Sequence, residues 1–160
     1  PTSNLVRSAI FSMLEPYLDT ARVLDLFSGT GALGVEALSR GAEWVDFFES
    51  DARQCFAIKA NLKSLDYVAF GDVHHAPAER AITMLDGSYD VILMDPPYSY
   101  QALEPLLGKV GQSSLSHVGS VVAVEHSHRQ ILPLEADGLR LIKQRRYGET
   151  MVTVYQQEEE

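Results

Sequence analysis

A single cysteine, Cys55, in a chain of 160 residues excludes an internal disulfide framework and fits a reducing compartment. Long apolar runs are also missing. None approaches the ~18 residues that would span a bilayer, and no secretory signal opens the sequence, so the cytoplasm is the expected location. Basic residues are scarce: 13 Lys and Arg stand against 22 Asp and Glu, a formal net charge of −9. That balance excludes bulk positive charge as a means of clinging to nucleic acid, but leaves room for a local basic face. Repeats and low-complexity linkers are absent, and the length suits one core, so residues 1–160 are expected to form a single domain. His74 and His75 adjoin and His126 and His128 alternate, with no cysteine partner at zinc-site spacing. They read as polar strand-end residues, and no metal is expected. Pro1 is not an initiator methionine, so residues upstream of it are expected to be missing from the chain.

Apolar strand-like runs alternate with helix-like stretches along the chain. Helical spacing of Val6, Ile10, Met13 and Leu14 predicts a helix over 4–14 that Pro16 soon ends. Strands are predicted over 22–27, 44–49, 67–73, 89–95 and 119–125, with helices over 32–40, 51–64, 78–85 and 101–110 between them. Segments 139–146 and 150–155 flank Tyr147-Gly148-Glu149 as an antiparallel hairpin. Alternation of this kind predicts a mostly parallel α/β sheet covered on both faces, whose ligands bind beyond the carboxyl ends of the strands.

Two segments fall at that edge. The first, Asp25-Leu26-Phe27-Ser28-Gly29-Thr30-Gly31-Ala32-Leu33-Gly34, leaves a strand and opens a helix. Its glycines let the backbone approach a ligand, and the helix start offers free N–H groups. With Glu49 ending the next strand to hold ribose hydroxyls, the pattern fits NAD, FAD or S-adenosylmethionine. Asp25 separates these, because a carboxylate at the strand end repels two phosphates and attracts an ammonium or sulfonium. S-adenosylmethionine is therefore the expected cofactor.

The second segment, Asp95-Pro96-Pro97-Tyr98, closes the strand 89–95. Two prolines fix a rigid turn and leave carbonyls directed outward. The product is a platform offering a carboxylate, the Pro96 carbonyl and an aromatic face. An exocyclic amine on a planar base is a poor nucleophile, since its lone pair is delocalised into the ring. Hydrogen bonds from its N–H groups to Asp95 and to the Pro96 carbonyl would turn that lone pair toward a methyl donor, while Tyr98 stacks on the base. Amino methylation of adenine or cytosine in DNA shares this platform, and methylation of a protein glutamine amide is a further rival. An NAD-dependent oxidoreductase fits the glycines but has no use for Asp95-Pro96-Pro97, and an inactive cofactor-binding module is the reading outside enzymes.

The opening PTSNLVRSAIFSML, the loop VLDLFSGTGALGVEALSRGA, FFESD, DVILMDPPY and the closing RRYGETMVTVY together resemble the bacterial RsmD-type family. Its members methylate guanine N2 in 16S ribosomal RNA of the small subunit. The resemblance implies a class I, Rossmann-like methyltransferase fold of seven strands, the last two forming the hairpin. It further implies that Asp25, Phe27, Ser28, Gly29, Thr30 and Gly31 hold the methionine portion of the cofactor, with Glu49 and Ser50 at the ribose. Asp95 borders that site and, with Pro96, Pro97 and Tyr98, receives the guanine. The partner would be 16S ribosomal RNA in an assembled or partly assembled small subunit, met by a monomer. Departures from the family pattern are Asn4, Leu5 and Ser8, an absent basic N-terminal hairpin, and Pro77 where a carboxylate often meets adenine. Adenine recognition would then fall to backbone groups near Ala76 to Ala78, Pro77 and Ala78 among them.

Residues 139–148 carry Arg140, Lys143, Arg145 and Arg146 without an acid. Arg7, Lys143, Arg145, Arg146 and Tyr147 are the candidate RNA contacts, although a strand alternates its faces and cannot present all of them together. Cys55 reads as a packing residue, and 158–160 as a solvated acidic end.

Overall fold

The computed structural model describes residues 3–159; Pro1, Thr2 and Glu160 lie outside the described residues, and with them the start of the family-like opening and the last acid of the tail. Helix α1 (Asn4–Leu18) is capped by Ser3, whose hydroxyl oxygen accepts the Val6 N–H at 3.2 Å. The helix continues two residues past Pro16, because a proline in the last turn removes one N–H while Leu18 is still buried. Strand β1 (Arg22–Asp25), helix α2 (Ala32–Ser39), strand β2 (Trp44–Glu49) and helix α3 (Ala52–Ser64) follow. Asp51 caps α3 by accepting the Arg53 N–H at 2.8 Å.

The third strand starts later than its composition suggests. Asp66 takes a left-handed conformation, the Tyr67 N–H donates back to the Leu62 carbonyl, and Val68–Phe70 make a 3-10 turn before β3 (Gly71–His75). The next helix is similarly divided into a 3-10 turn, Ala78–Arg80, and a short α4 (Ala81–Met84). Beyond them come β4 (Tyr89–Met94), α5 (Leu103–Gln112), β5 (Ser116–Ser127), β6 (Glu135–Ala136), β7 (Leu139–Tyr147) and β8 (Thr150–Gln157).

The eight strands form one sheet in the order β3-β2-β1-β4-β5-β8-β7-β6. Strands β3 to β5 in that order are parallel, and β8, β7 and β6 complete the sheet antiparallel. The seven expected strands are all present, and the two-residue β6 is an addition that no sequence pattern announced. Apolar residues pack on both faces. One core gathers α1, α2 and α3 with Val23, Phe47, Val91, Val152 and Val154; the other gathers α5 with Leu24, Phe48, Ile92, Val122 and Tyr155. No helix among the described residues is long and apolar enough to cross a membrane. Glu158 is not a loose end, since it pairs with Arg140 at 3.2 Å.

Candidate active site

Parallel pairing of β1 with both β2 and β4 brings the glycine loop, Glu49 and the Asp-Pro-Pro-Tyr turn to one sheet edge. At its centre is Asp25. Its side chain is fully buried, and neither carboxylate oxygen has a hydrogen-bond partner. No other buried side-chain oxygen or nitrogen among the described residues is left in that condition. The Ser28 hydroxyl donates to the Asp25 backbone carbonyl at 3.0 Å rather than to the carboxylate. Burial, reinforced by the neighbouring Asp95 carboxylate and only partly offset by nearby Ser28 and Gly34, raises the Asp25 pKa to about 7. An unpartnered buried carboxylate is energetically costly and fits a cationic ligand.

The loop is held open by its glycines. Gly31 has φ +83°, and a Cβ there would lie 3.0 Å from Ile58. A Cβ at Gly34 would come within 2.3 Å of the Phe47 ring, so this glycine lets α2 lie against β2. Gly29 donates its N–H to Glu49 Oε1 at 2.8 Å, while Glu49 Oε2 accepts the Asp51 N–H at 2.7 Å. Glu49 therefore braces the loop as well as facing the cleft. Phe27 and Ser50 reach the same cleft, a cavity of about 180 Å³ whose floor and walls include Phe48, Ala76, Pro77, Ala78, Pro97 and Tyr100. Thr30 is exposed at the tip of the loop.

Sequence reasoning missed Glu79 and Tyr100. Both line the cavity; the Tyr100 hydroxyl donates to the Glu79 carboxylate, and its ring meets Phe27 edge-on at 5.0 Å. This carboxylate sits two residues beyond Pro77, where the family-like position holds none. The Ala76 N–H is already committed to the Glu49 carbonyl at 3.0 Å, and Pro77 has no N–H. Of the three, Ala78 alone opens the following turn with its amide. The signal was available as an acid two positions late, but only the 3-10 turn shows that it swings back into the cleft.

On the other side of Asp25, Asp95 is half-buried and Pro96 is buried. The Pro97 carbonyl accepts the Tyr100 N–H at 2.9 Å, closing the turn, whereas the Pro96 carbonyl accepts no hydrogen bond among the described residues. Tyr98 is 71% exposed, and its hydroxyl stands 3.3 Å from Thr150 Oγ1 at the start of β8. The hairpin thus reaches the same edge as the platform.

The five RNA candidates do not share a face. Arg7 lies 3.8 Å from Glu36 and donates to Asn4 at 2.7 Å. Arg146 turns its Nε–H back to the Gly148 carbonyl at 2.7 Å. Lys143, Arg145 and Tyr147 point together toward α1. His74 and His126 serve packing within the sheet. His74 stacks on Phe48 with ring centroids 4.5 Å apart and bonds Asp46 at 2.8 Å. Asp46, Asp72 and His74 bring ligand-type atoms within 4.8 Å of one another, but the Asp46 oxygens also accept the Trp44 indole N–H and the Tyr89 hydroxyl. His126 donates Nδ1–H to the Ser127 carbonyl and accepts the Thr153 hydroxyl at Nε2, and burial lowers its pKa. Cys55 donates its thiol to the Glu49 carbonyl at 3.2 Å, and burial first, then Glu49, pushes its pKa up.

The chain is similar to known proteins along nearly its whole length. YlbH of Bacillus subtilis is 35% identical over 158 residues, covering 97% of this chain and 86% of its own. Ribosomal RNA small subunit methyltransferase D of Escherichia coli is 27% identical over 158 residues, covering 99% and 79%. A solved structure of a conserved hypothetical protein from Streptococcus pyogenes superposes with a TM-score of 0.89 at 34% identity over 95% of each chain. The family model described as conserved hypothetical protein 95 matches residues 1–156, and the chain belongs to that family, the RsmD type.

Proposed function

We propose that this chain is an S-adenosylmethionine-dependent methyltransferase acting on the exocyclic N2 amine of a guanine in 16S ribosomal RNA. The observation that carries the reading is the unpartnered, fully buried Asp25 carboxylate beside the Asp95-Pro96 platform. The name of the Escherichia coli relative supports the substrate class.

The residues present fit the cofactor. Asp25 would take its ammonium group, and Glu49 with Ser50 its ribose. The loop from Ser28 to Gly31 would border its carboxylate through the Thr30 N–H, since the amides of Ser28, Gly29 and Gly31 already donate within the protein. Phe27, Pro77 and Ala78 would enclose the adenine. The Ala78 N–H and the Glu79 carboxylate, steadied by Tyr100, offer one donor and one acceptor to the edge of that ring. When bound, S-adenosylmethionine supplies an electrophilic methyl group. The chain does the rest by placement. Asp95 and the Pro96 carbonyl accept the two N–H bonds of the guanine amine and direct its lone pair toward the methyl group. Pro97 holds the turn rigid and Tyr98 stacks on the base. Asp95 or water would take the amine proton once the methyl group has moved from sulfur to nitrogen, the broken carbon–sulfur bond leaving a neutral thioether. In-line placement at ~3–3.5 Å provides most of the acceleration, so no covalent enzyme intermediate is required. The enzyme acts in the cytoplasm, as a monomer, on an assembled or partly assembled small subunit.

The test is Asp95→Ala in the full protein, with unmodified ribosomal subunits and radiolabelled cofactor. Methyl transfer is expected to fall at least ~100-fold while cofactor still binds. Near-normal transfer would overturn the role given to Asp95. Label recovered in N6-methyladenosine rather than N2-methylguanosine would overturn the substrate.

A further inference from the structure

A groove of about 190 Å³ runs between α1 and β7, lined by Ala9, Ser12 and Met13 on the helix and by Lys143, Arg145 and Tyr147 on the strand. It exists because β7 is bulged. Leu141 pairs with Tyr155, but the register then shifts, so that Lys143 pairs with Val154, Arg145 with Val152 and Tyr147 with Thr150. Val152 and Val154 belong to the core beneath α1, whereas Tyr155 belongs to the core on the opposite face. Were Ile142 paired regularly with Val154, strict alternation would send Lys143 and Arg145 to the far side of the sheet. Bulges re-aim side chains in this way.

Ion pairing separates these two cations from their neighbours. Arg140 is neutralised by Glu158, Arg7 stands beside Glu36, and Arg146 is folded onto the Gly148 carbonyl. Lys143 and Arg145 are exposed, and their side chains have neither ion pair nor hydrogen bond among the described residues. No acid lines the groove. In a chain of net charge −9, two unneutralised cations side by side above a hydroxyl and an aromatic ring form a local anionic-ligand site. Its open end is fixed by the hairpin: Tyr147 pairs with Thr150, which meets Tyr98 of the platform.

We infer that this groove binds the sugar–phosphate backbone of the RNA strand beside the target nucleotide, Lys143 and Arg145 each neutralising one phosphate and Tyr147 bordering the ribose. The inference rests on the RNA methyltransferase reading and adds a second contact region to it. The groove is small and polar, which suits a backbone rather than a folded protein element. The flexible Lys143 and the forked Arg145 are both phosphate donors, and such contacts position a strand without reading its sequence.

The test measures binding of fluorescein-labelled 16S ribosomal RNA by anisotropy across a series of salt concentrations, using the full protein. Lys143→Gln/Arg145→Gln is expected to weaken binding about tenfold at ~0.1 M salt. It should also lower the slope of log affinity against log salt by about 1.4–1.8, the signature of two lost phosphate contacts. The charge-preserving exchange Lys143→Arg/Arg145→Lys should keep the slope. A control of equal charge change, Lys63→Gln/Arg140→Gln, should move it little, and unchanged affinity for S-adenosylhomocysteine confirms an intact fold. An unaltered slope in the groove variant, or an equal loss in the control, overturns the inference. So does loss of methylation on assembled subunits with RNA binding unchanged, which would assign the groove to a protein partner. Failure of the unsubstituted protein to methylate RNA is the separate outcome that overturns the underlying reading.

Discussion

Asp46 and Asp25 are both buried, lie one register step apart on neighbouring parallel strands, and differ in what meets their oxygens. Asp46 accepts the Trp44 indole N–H at 2.8 Å, the Tyr89 hydroxyl at 2.5 Å and a His74 ring nitrogen at 2.8 Å. Asp25 accepts from none. A buried carboxylate surrounded by its own donors ties elements together, here β2, β3 and β4. One left without donors destabilises the fold around it until something else arrives. Identical chemistry on adjacent strands thus becomes a structural strut in one place and a receptor in the other. Position along the strand separates them: Asp46 is inside β2, whereas Asp25 is the last residue of β1, where the chain turns into the glycine loop.

The largest effect expected on this contrast comes from Asp25→Asn. Affinity for S-adenosylhomocysteine, read by calorimetry, should fall at least ~100-fold, as expected for a buried charge-assisted contact. The ligand-free protein should move the opposite way. In the folded chain Asp25 titrates at about 7, above the 3.8 of the unfolded chain, so the folded state keeps the proton longer. Stability is therefore lost as pH rises from about 4 through about 7. Removing the charge should return up to ~4 kcal/mol at pH ~8 and nothing near pH ~4, measured by denaturant unfolding. A variant that bound normally, or that lost stability at pH ~8, would break the comparison.

Asp46→Ala should show the mirror image. Stranding three buried or half-buried donors is expected to lower stability by ~3–5 kcal/mol, while cofactor affinity at temperatures well below unfolding changes less than about twofold. A large loss of affinity without a loss of stability would make Asp46 part of the site.

Both aspartates interrupt apolar strands in the sequence, but only Asp25 could be interpreted there. It is followed by a glycine loop, and glycines and prolines encode local backbone geometry that can be read residue by residue. For the same reason the sheet edge, the Asp95 platform and the alternation of strands and helices were legible. Asp46 was not, because its partners come from residues 2, 28 and 43 positions away. The bulge at Ile142 and the return of Glu79 into the cavity were equally hidden. Each depends on pairing with a distant strand or on a 3-10 turn, and neither leaves a periodic mark.

A smaller effect tests the proton itself. Cofactor affinity of the unsubstituted protein should drop roughly tenfold per pH unit below about 7, as Asp25 takes up the proton that must leave before an ammonium group can be paired. Flat affinity between pH ~5.5 and ~7.5 would mean that the carboxylate is already ionised before the ligand binds. The smallest expected effects lie at the far wall: Glu79→Gln should weaken cofactor binding about 3–10-fold and Tyr100→Phe less, since Phe keeps the ring against Phe27 and removes only the hydroxyl that steadies Glu79.

The sheet order has a consequence for when this molecule becomes competent during synthesis. Strand β8 lies between β5 and β7, inside the sheet rather than at its border. The parallel half of the protein has left the ribosome by residue 127, yet the outer edge of β5 stays bare until residues 150–157 emerge and insert. The same residues deliver Thr150 to Tyr98. A nascent chain therefore acquires its glycine loop and the Asp95–Tyr98 turn early, and the strand that meets Tyr98 late. Premature termination before residue 150 would yield a species with a bare β5 edge, open to self-association, in place of a partly active enzyme.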